Sequence, residues 1–355
     1  MPDEAGRGGS GDDEAMMGRA VAAAAAVRTT TSPNPWVGCV LRALDGTVHE
    51  GATAPPGGPH AEAVALAAAG PAARGATVWT TLEPCSHHGR TGPCADALLA
   101  AGVARVVVGI EDPDGQVAGR GIERLRAGGV GVALGVAAGA VADQLAPYLV
   151  HRRTGRPLVV LKLAASLDGR TAAPDRSSQW ITGVEARTDA HRLRAESDAV
   201  LVGAGTVRAD DPSLTVRHVE GPDPLRVVLG RAPDTARVHP ALELEGDLGE
   251  VLDVLGGTGV LQLLVEGGAG VAGAFHRAGL VDRYVVYLAP KLFGGDDAPG
   301  LFAGPGAATM ADAWAGEITA VTRLGPDLRI DVRAVQTDPD EPVGEPAPPP
   351  TGGDT

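Results

Sequence analysis

Hydrophobic and polar positions run along this chain in short blocks, most of them closed by Gly or Pro. Residues 37–41 and 47–50 flank Asp45-Gly46, a turn dipeptide, and predict a β-hairpin. Residues 61–69, rich in the strongest helix former and ended by Gly70-Pro71, predict a helix. Residues 76–81 read as a buried strand, 94–101 as a helix closed by Gly102, and 103–110 as a strand. A helix over 121–127 and a strand over 130–134 follow. This alternation predicts an α/β sheet with helices on its faces.

The stretch 143–157 holds Pro147, His151-Arg152-Arg153, Gly155 and Pro157, and reads as a junction between domains. A second α/β pattern comes after it, with strands expected at 158–164, 199–202, 225–229, 261–265 and 283–288. An amphipathic helix is expected at 185–195. Gly268, Gly270 and Gly273 fit G-x-G-x-x-G after a strand and at the opening of a helix, where backbone N–H groups cradle phosphates. Among 51 glycines such a match is weak by itself. No acidic residue stands about 20 positions further on to hold a ribose, so an ordinary Rossmann unit is not supported.

A chain of 355 residues suits two domains, expected at 15–145 and 157–334. The ends 1–14 and 335–355, rich in acids with Gly or Pro, are expected to be disordered. They also carry most of the net charge of −14, with −4 on residues 1–15 and −5 on 336–355, leaving −5 for the body. With no basic tract, a nucleic-acid partner is not expected. No apolar run is long enough to span a bilayer, and Ala22 to Ala26 follow an acidic start rather than the basic segment of a signal peptide. Three cysteines, two in a metal-like pattern, point to a reducing cytoplasm.

Lys162 and Lys291 are the only lysines beside 28 arginines, and Asn34 is the single asparagine. That bias is the mark of a GC-rich genome. A residue kept against it is a candidate for function, with chance survival as the alternative.

The decisive chemistry lies in His60-Ala61-Glu62, Pro84-Cys85 and Cys94. One imidazole and two thiolates hold a zinc ion and leave its fourth position open, as in a catalytic site. Zinc deaminases carry H-x-E followed by P-C-x-x-C, with the glutamate as proton carrier rather than ligand. Here eight residues, not two, separate the cysteines. His60 with Glu62, and Cys94, fall at two predicted helix starts, whose partial positive charge favours thiolates. The competing reading is a closed structural site with Cys39 as fourth ligand, which leaves Glu62 idle.

The run from Thr81-Leu82-Glu83-Pro84-Cys85-Ser86-His87-His88 to Gly92-Pro93-Cys94 closely resembles the bifunctional riboflavin-biosynthesis deaminase/reductases. So do Pro33-Asn34-Pro35-Trp36-Val37-Gly38, Lys162-Leu163-Ala164-Ala165-Ser166-Leu167-Asp168-Gly169-Arg170 and Ser178-Gln179-Trp180-Ile181-Thr182. Asp210-Asp211-Pro212-Ser213-Leu214-Thr215-Val216-Arg217 and Pro290-Lys291-Leu292-Phe293-Gly294-Gly295 extend the resemblance over roughly residues 15 to 334. It implies an N-terminal cytidine-deaminase-like three-layer α/β domain and a C-terminal dihydrofolate-reductase-like domain. It also implies one Zn2+ per chain and NADPH.

The expected reactions are deamination of a diaminopyrimidinone ribosyl phosphate, then reduction of the ribosyl to a ribityl group. By resemblance Asn34, Ser178, Arg194, Leu214, Arg217 and Glu266 contact substrate. Ala164, Trp180, Thr206, Asp210, Gly268, Ala269, Gly270 and Gly273 contact NADPH, and a homodimer forms through the second domain. Lys162 and Asp210 are the expected groups for polarising the sugar and orienting the nicotinamide. His87 and His88 are expected near the substrate rather than on the metal. Two departures stand out: residues 228–261 are shorter than usual, and Gly230-Arg231 replaces an Asp-Ser-like pair. Arg231 either grips the 2′-phosphate of NADPH or marks altered cofactor binding. A deaminase with a decayed reductase domain is the nearest rival, ahead of a nucleic-acid deaminase and a zinc-folded scaffold.

Overall fold

Two sheets organise the chain. The computed structural model describes residues 10–86, 92–115 and 117–334. The first unit runs through α1 (Ser10–Ala25), α2 (Arg28–Thr31), β1 (Gly38–Arg42), β2 (Val48–Ala52) and α3 (Ala61–Ala69). It continues through β3 (Thr77–Leu82), α4 (Cys94–Ala101), β4 (Arg105–Ile110), α5 (Arg120–Ala127), β5 (Gly131–Leu134) and α6 (Ala138–Gln144). Its strand order is β2-β1-β3-β4-β5, with β1 antiparallel to both neighbours and β3, β4 and β5 parallel. One continuous core forms around Trp79, Leu41, Leu98 and Leu125.

α7 (Ala146–Thr154) leads to the second unit: β6 (Leu158–Ser166), α8 (Val184–Ala195), β7 (Ala199–Gly203), α9 (Ala204–Asp210), β8 (Leu225–Leu229) and β9 (Leu242–Leu244). Then come α10 (Leu248–Gly257), β10 (Gln262–Val265), α11 (Ala269–Arg277), β11 (Arg283–Ala289), β12 (Gly316–Leu324) and β13 (Asp327–Ala334). The order is β12-β13-β11-β6-β10-β7-β8-β9; the six strands from β11 to β9 are parallel and β12-β13 is an antiparallel hairpin on β11. Each face of this sheet buries its own apolar cluster, as a sheet covered on both sides must.

The expected strands and helices appear within a residue or two of their predicted bounds. One expectation is corrected. Residues 10–14 are not disordered but open α1, where Asp12 pairs with Arg42 at 2.7 Å and Asp13 with Arg105 at 2.7 Å. Trp79 Nε1 also donates to Asp13 at 2.9 Å. The junction is a helix, because Pro147 sits in its first turn, where no N–H is needed, and Gly155 closes it at φ 74°. The shortened stretch contains β9 and α10, and β9 is the outer strand at one edge of the sheet. The expected tail 335–355 and residues 1–9 lie outside the described residues.

Candidate active sites in two cavities

In the first unit, His60 is the N-cap of α3, Glu62 lies in that helix's first turn, and Cys94 is the first residue of α4. Cys85 follows β3. His60 Nδ1 lies 3.3 Å from Cys94 Sγ and 3.6 Å from Cys85 Sγ, and all three donor atoms fall within 4.8 Å of one another. A tetrahedral zinc with Zn–N of about 2.0 Å and Zn–S of about 2.3 Å requires N···S edges of roughly 3.5 Å. The donor set therefore fits the ion. The Cys94 thiol, its backbone N–H at 3.3 Å and His60 hold the Cys85 thiol well below its usual range, while the bond to Cys85 and burial push Cys94 up. Cys39 is fully buried on β1, its thiol raised by burial and by the nearby Glu62 charge, and is not part of the cluster. Among the described residues the closed four-ligand site is thus not formed.

Glu62 is 3% exposed and shares a cavity of about 200 Å³ with His60, Cys85 and Asn34. Burial pushes its carboxyl up to about 7. Glu83 was not foreseen as part of the site. Its buried carboxylate accepts backbone N–H bonds from Asp112, Gly119, Gly121 and Ile122 at 2.8–3.2 Å. It thereby shapes the segment after β4, from which Asp112 and Asp114 reach the cavity wall. An acid between an apolar strand and Pro84 is the available signal, since a buried carboxylate demands donors. His87 and His88 lie outside the described residues.

In the second unit a cavity of about 710 Å³ opens over β6, β10 and α9. Strands β6 and β10 are neighbours, which brings Lys162 Nζ to 4.0 Å from Glu266 Oε2. Arg194, in the last turn of α8, donates to the same carboxylate at two points, Nε–Oε1 2.5 Å and Nη2–Oε2 3.0 Å. Burial by itself would raise Glu266; the Arg194 charge and hydrogen bonds, with Lys162, outweigh it and hold the carboxyl at about 2. Burial lowers the Lys162 ammonium, opposed by Glu266. Arg194 and Glu266, expected as separate substrate contacts, are paired to each other in the wall.

Ala164, Ser178, Trp180, Thr206, Asp210, Leu214, Arg217, Gly268 and Ala269 all line this cavity. Trp180 is 61% exposed, with the Arg187 guanidinium 4.6 Å from its ring, and its carbonyl accepts from Lys291 Nζ at 2.7 Å. All three rare residues thus sit in or beside a cavity. Gly268 N–H donates to Thr206 Oγ1 at 3.2 Å, tying the glycine segment to α9.

Gly270 and Gly273 do not line the cavity. Only the start of α11 faces it, because later N–H groups bond within the helix. Gly273 is buried, and a Cβ there would meet the Ala303 carbonyl oxygen at 2.3 Å, so it serves close packing. Arg231 lies off the cavity, 79% exposed, paired with Glu245 at 3.2 Å and Glu243 at 3.5 Å. His191 was missed. Its Nδ1 accepts the Arg217 N–H at 3.1 Å, and burial, then the Arg194 charge, lowers it to about 4. The volume, the exposed Trp180 ring and the open start of α11 suit a dinucleotide, with a ring to stack and phosphates to cradle.

Residues 10–110 match the family described as cytidine and deoxycytidylate deaminase zinc-binding region, and residues 157–329 match the RibD C-terminal domain. The riboflavin biosynthesis protein RibD of Escherichia coli is 42% identical over 89% of this chain and 98% of that protein. Its counterpart from Mycobacterium tuberculosis is 44% identical over 91% and 97%. The solved structure of Acinetobacter baumannii RibD superposes with a TM-score of 0.86 at 37% identity, covering 92% of this chain and all of that one. A deaminase/reductase from Thermotoga maritima gives 0.85 at 31% identity, covering 92% and 99%. With zinc donors in one unit and a dinucleotide-sized cavity in the other, the chain belongs to the RibD family, bifunctional zinc-dependent deaminases and NADPH-dependent reductases of riboflavin biosynthesis.

Proposed function

We propose that this chain deaminates 2,5-diamino-6-ribosylamino-4(3H)-pyrimidinone 5′-phosphate in the first unit and reduces the resulting aminouracil's ribosyl group in the second. The observation that carries the reading is the buried Glu62 carboxyl sharing a small cavity with two of the three zinc donors. His60, Cys85 and Cys94 would hold a zinc ion, which when bound would supply the Lewis acidity that activates a water at neutral pH. Glu62 takes a proton from the attacking water and hands it to the departing amine, so that ammonia leaves. A buried carboxyl beside the zinc donors can take a proton and give it back. Asn34, from the same wall, orients the pyrimidine.

In the second unit NADPH supplies the hydride. Lys162 polarises the sugar carbonyl of the opened ribose, with Asp210 and Trp180 placing the nicotinamide. Ser178 and Arg217 meet the substrate phosphate, and the Arg194–Glu266 pair fixes the wall behind Lys162. Arg231, engaged by two glutamates, takes no part in cofactor binding.

The partner is this small molecule, not a nucleic acid, in keeping with the mildly acidic body of the chain. A homodimer through the second unit is supported by β12, an outer strand that exposes Ile318 and Val321. No helix among the described residues is long and apolar enough to cross a membrane. The three free cysteines suit the cytoplasm.

Purified protein given the diamino substrate should release ammonia without NADPH. It should oxidise NADPH once the deaminated product is present. Ammonia release with no NADPH oxidation would instead establish the deaminase-only alternative.

A further inference from the structure

One wall of the larger cavity is carried by a segment without regular structure. Residues 171–183 join β6 to α8, and Ser178, Gln179, Trp180, Ile181 and Thr182 line the cavity in succession. Trp180 is exposed, so burial does not by itself fix its ring. A loop side chain in such a place keeps one orientation where specific bonds hold its backbone. Among the described residues, the hydrogen bonds of 172–181 stay inside the segment, from Ala173 N–H to the Ser177 carbonyl and from Ile181 N–H to the Ser178 carbonyl, with one exception. Lys291 Nζ donates to the Trp180 carbonyl at 2.7 Å.

Lys291 follows β11 and Pro290, lies outside the cavity wall, and is itself firmly set. Its N–H donates to the Ala289 carbonyl at 2.8 Å, and its carbonyl accepts the Leu167 N–H at 2.9 Å. Just beyond it, the Phe293 and Gly294 N–H groups donate to Asp168 Oδ2 at 2.9 and 2.8 Å, while Ser166 Oγ donates to Asp168 Oδ1 at 2.5 Å. The ends of β6 and β11, parallel neighbours in the sheet, thus clamp the stretch from which the ammonium reaches across. From the other side α8 supplies Arg187, whose guanidinium lies 4.6 Å from the Trp180 ring centre and whose Nη1 donates to the Thr182 carbonyl at 2.7 Å. Two cations therefore hold Trp180, one at its main chain and one over its ring. A lysine suits the first task, since a long stem ending in three donors reaches a carbonyl on another segment.

We propose that Lys291 is a positioning residue of the reductase: through the Trp180 carbonyl it sets the tryptophan in the orientation that receives the nicotinamide of NADPH. The assignment rests on the placing of the nicotinamide by Trp180 proposed above.

The test is NADPH binding to the full chain, followed by quenching of tryptophan fluorescence, beside the kinetics of both reactions. Lys291→Met keeps the length of the side chain and removes its donors. Its Kd for NADPH should rise about 3–10-fold, the loss expected for one hydrogen bond, and the KM for NADPH should rise with it. Ammonia release should be unchanged. Lys291→Arg, which keeps a charged donor, should retain most of the affinity. Trp180→Ala should weaken NADPH binding by itself, and adding Lys291→Met to it should cost little more, because both changes remove the same placement. Unchanged binding in Lys291→Met, an equal loss in Lys291→Arg, or a full additional loss on top of Trp180→Ala overturns the assignment. Unchanged binding in Trp180→Ala overturns the reading of Trp180 as the nicotinamide contact, and the assignment falls with it.

Discussion

Arg194 and Glu266 close on each other through two hydrogen bonds, at 2.5 and 3.0 Å, in the wall of the larger cavity. With Lys162 4.0 Å away, one carboxylate faces two cations, and a net positive charge is left beside the cavity. That excess serves an anionic substrate and a sugar oxygen gaining negative charge. It also explains how a lysine is kept on an apolar strand, where an unpaired ammonium would be costly.

Glu266→Gln should leave two half-buried cations without their carboxylate. Breaking such a pair typically costs about 3–5 kcal/mol. Denaturant unfolding should show that loss, with NADPH oxidation reduced. By contrast, Lys162→Ala should abolish NADPH oxidation while ammonia release stays close to wild type and the deaminated aminouracil accumulates. Normal reduction by Lys162→Ala would leave Lys162 as a structural residue.

Glu62→Gln keeps the shape of the side chain and removes its ability to carry a proton. Deamination should fall ~10²–10⁴-fold, the range for a lost general acid–base, with zinc still near one per chain. Retention of most of the rate would place the proton carrier elsewhere.

Cys94→Ala removes one of three donors, so zinc should be lost or strongly weakened and the first unit should soften with it. Cys39→Ala should keep its zinc, since that thiol lies outside the donor cluster. Metal analysis of the two variants decides the point.

The fourth expectation concerns acid. His191 titrates near 4 in the folded chain, below its unfolded value of about 6.5. A histidine held neutral by the fold contributes stability that is complete above the unfolded value and is lost as pH falls towards the folded one. Between about pH 6.5 and 4 the wild type should therefore lose roughly 2 kcal/mol more than His191→Gln, a variant that still offers the Arg217 N–H an acceptor. Parallel pH curves for the two proteins would contradict this.

Much of this was legible in the residues alone. Local apolar periodicity records which face of a segment is buried, so the strands and helices on either side of 143–157 emerged nearly in place. The zinc donors were legible because His and Cys are favoured zinc ligands and each lies at or near the end of a predicted element. Asn34 and Lys162 stood out as rare residues and line the two cavities. β12 left no such trace, because both of its faces are exposed and no alternation marks it.

The pairings were decided by the tertiary structure. Arg194 and Glu266 lie 72 residues apart, and only the placing of β10 between β6 and β7 brings α8, Lys162 and Glu266 to one wall. The same holds for Glu83 with the backbone after β4, for Gly273 against Ala303, and for Arg152, which a junction helix carries into the first cavity. Sequence fixes what each side chain offers and which face of its segment is buried. Which partner it meets depends on strand order and helix docking, and those are settled by the packing of the whole chain.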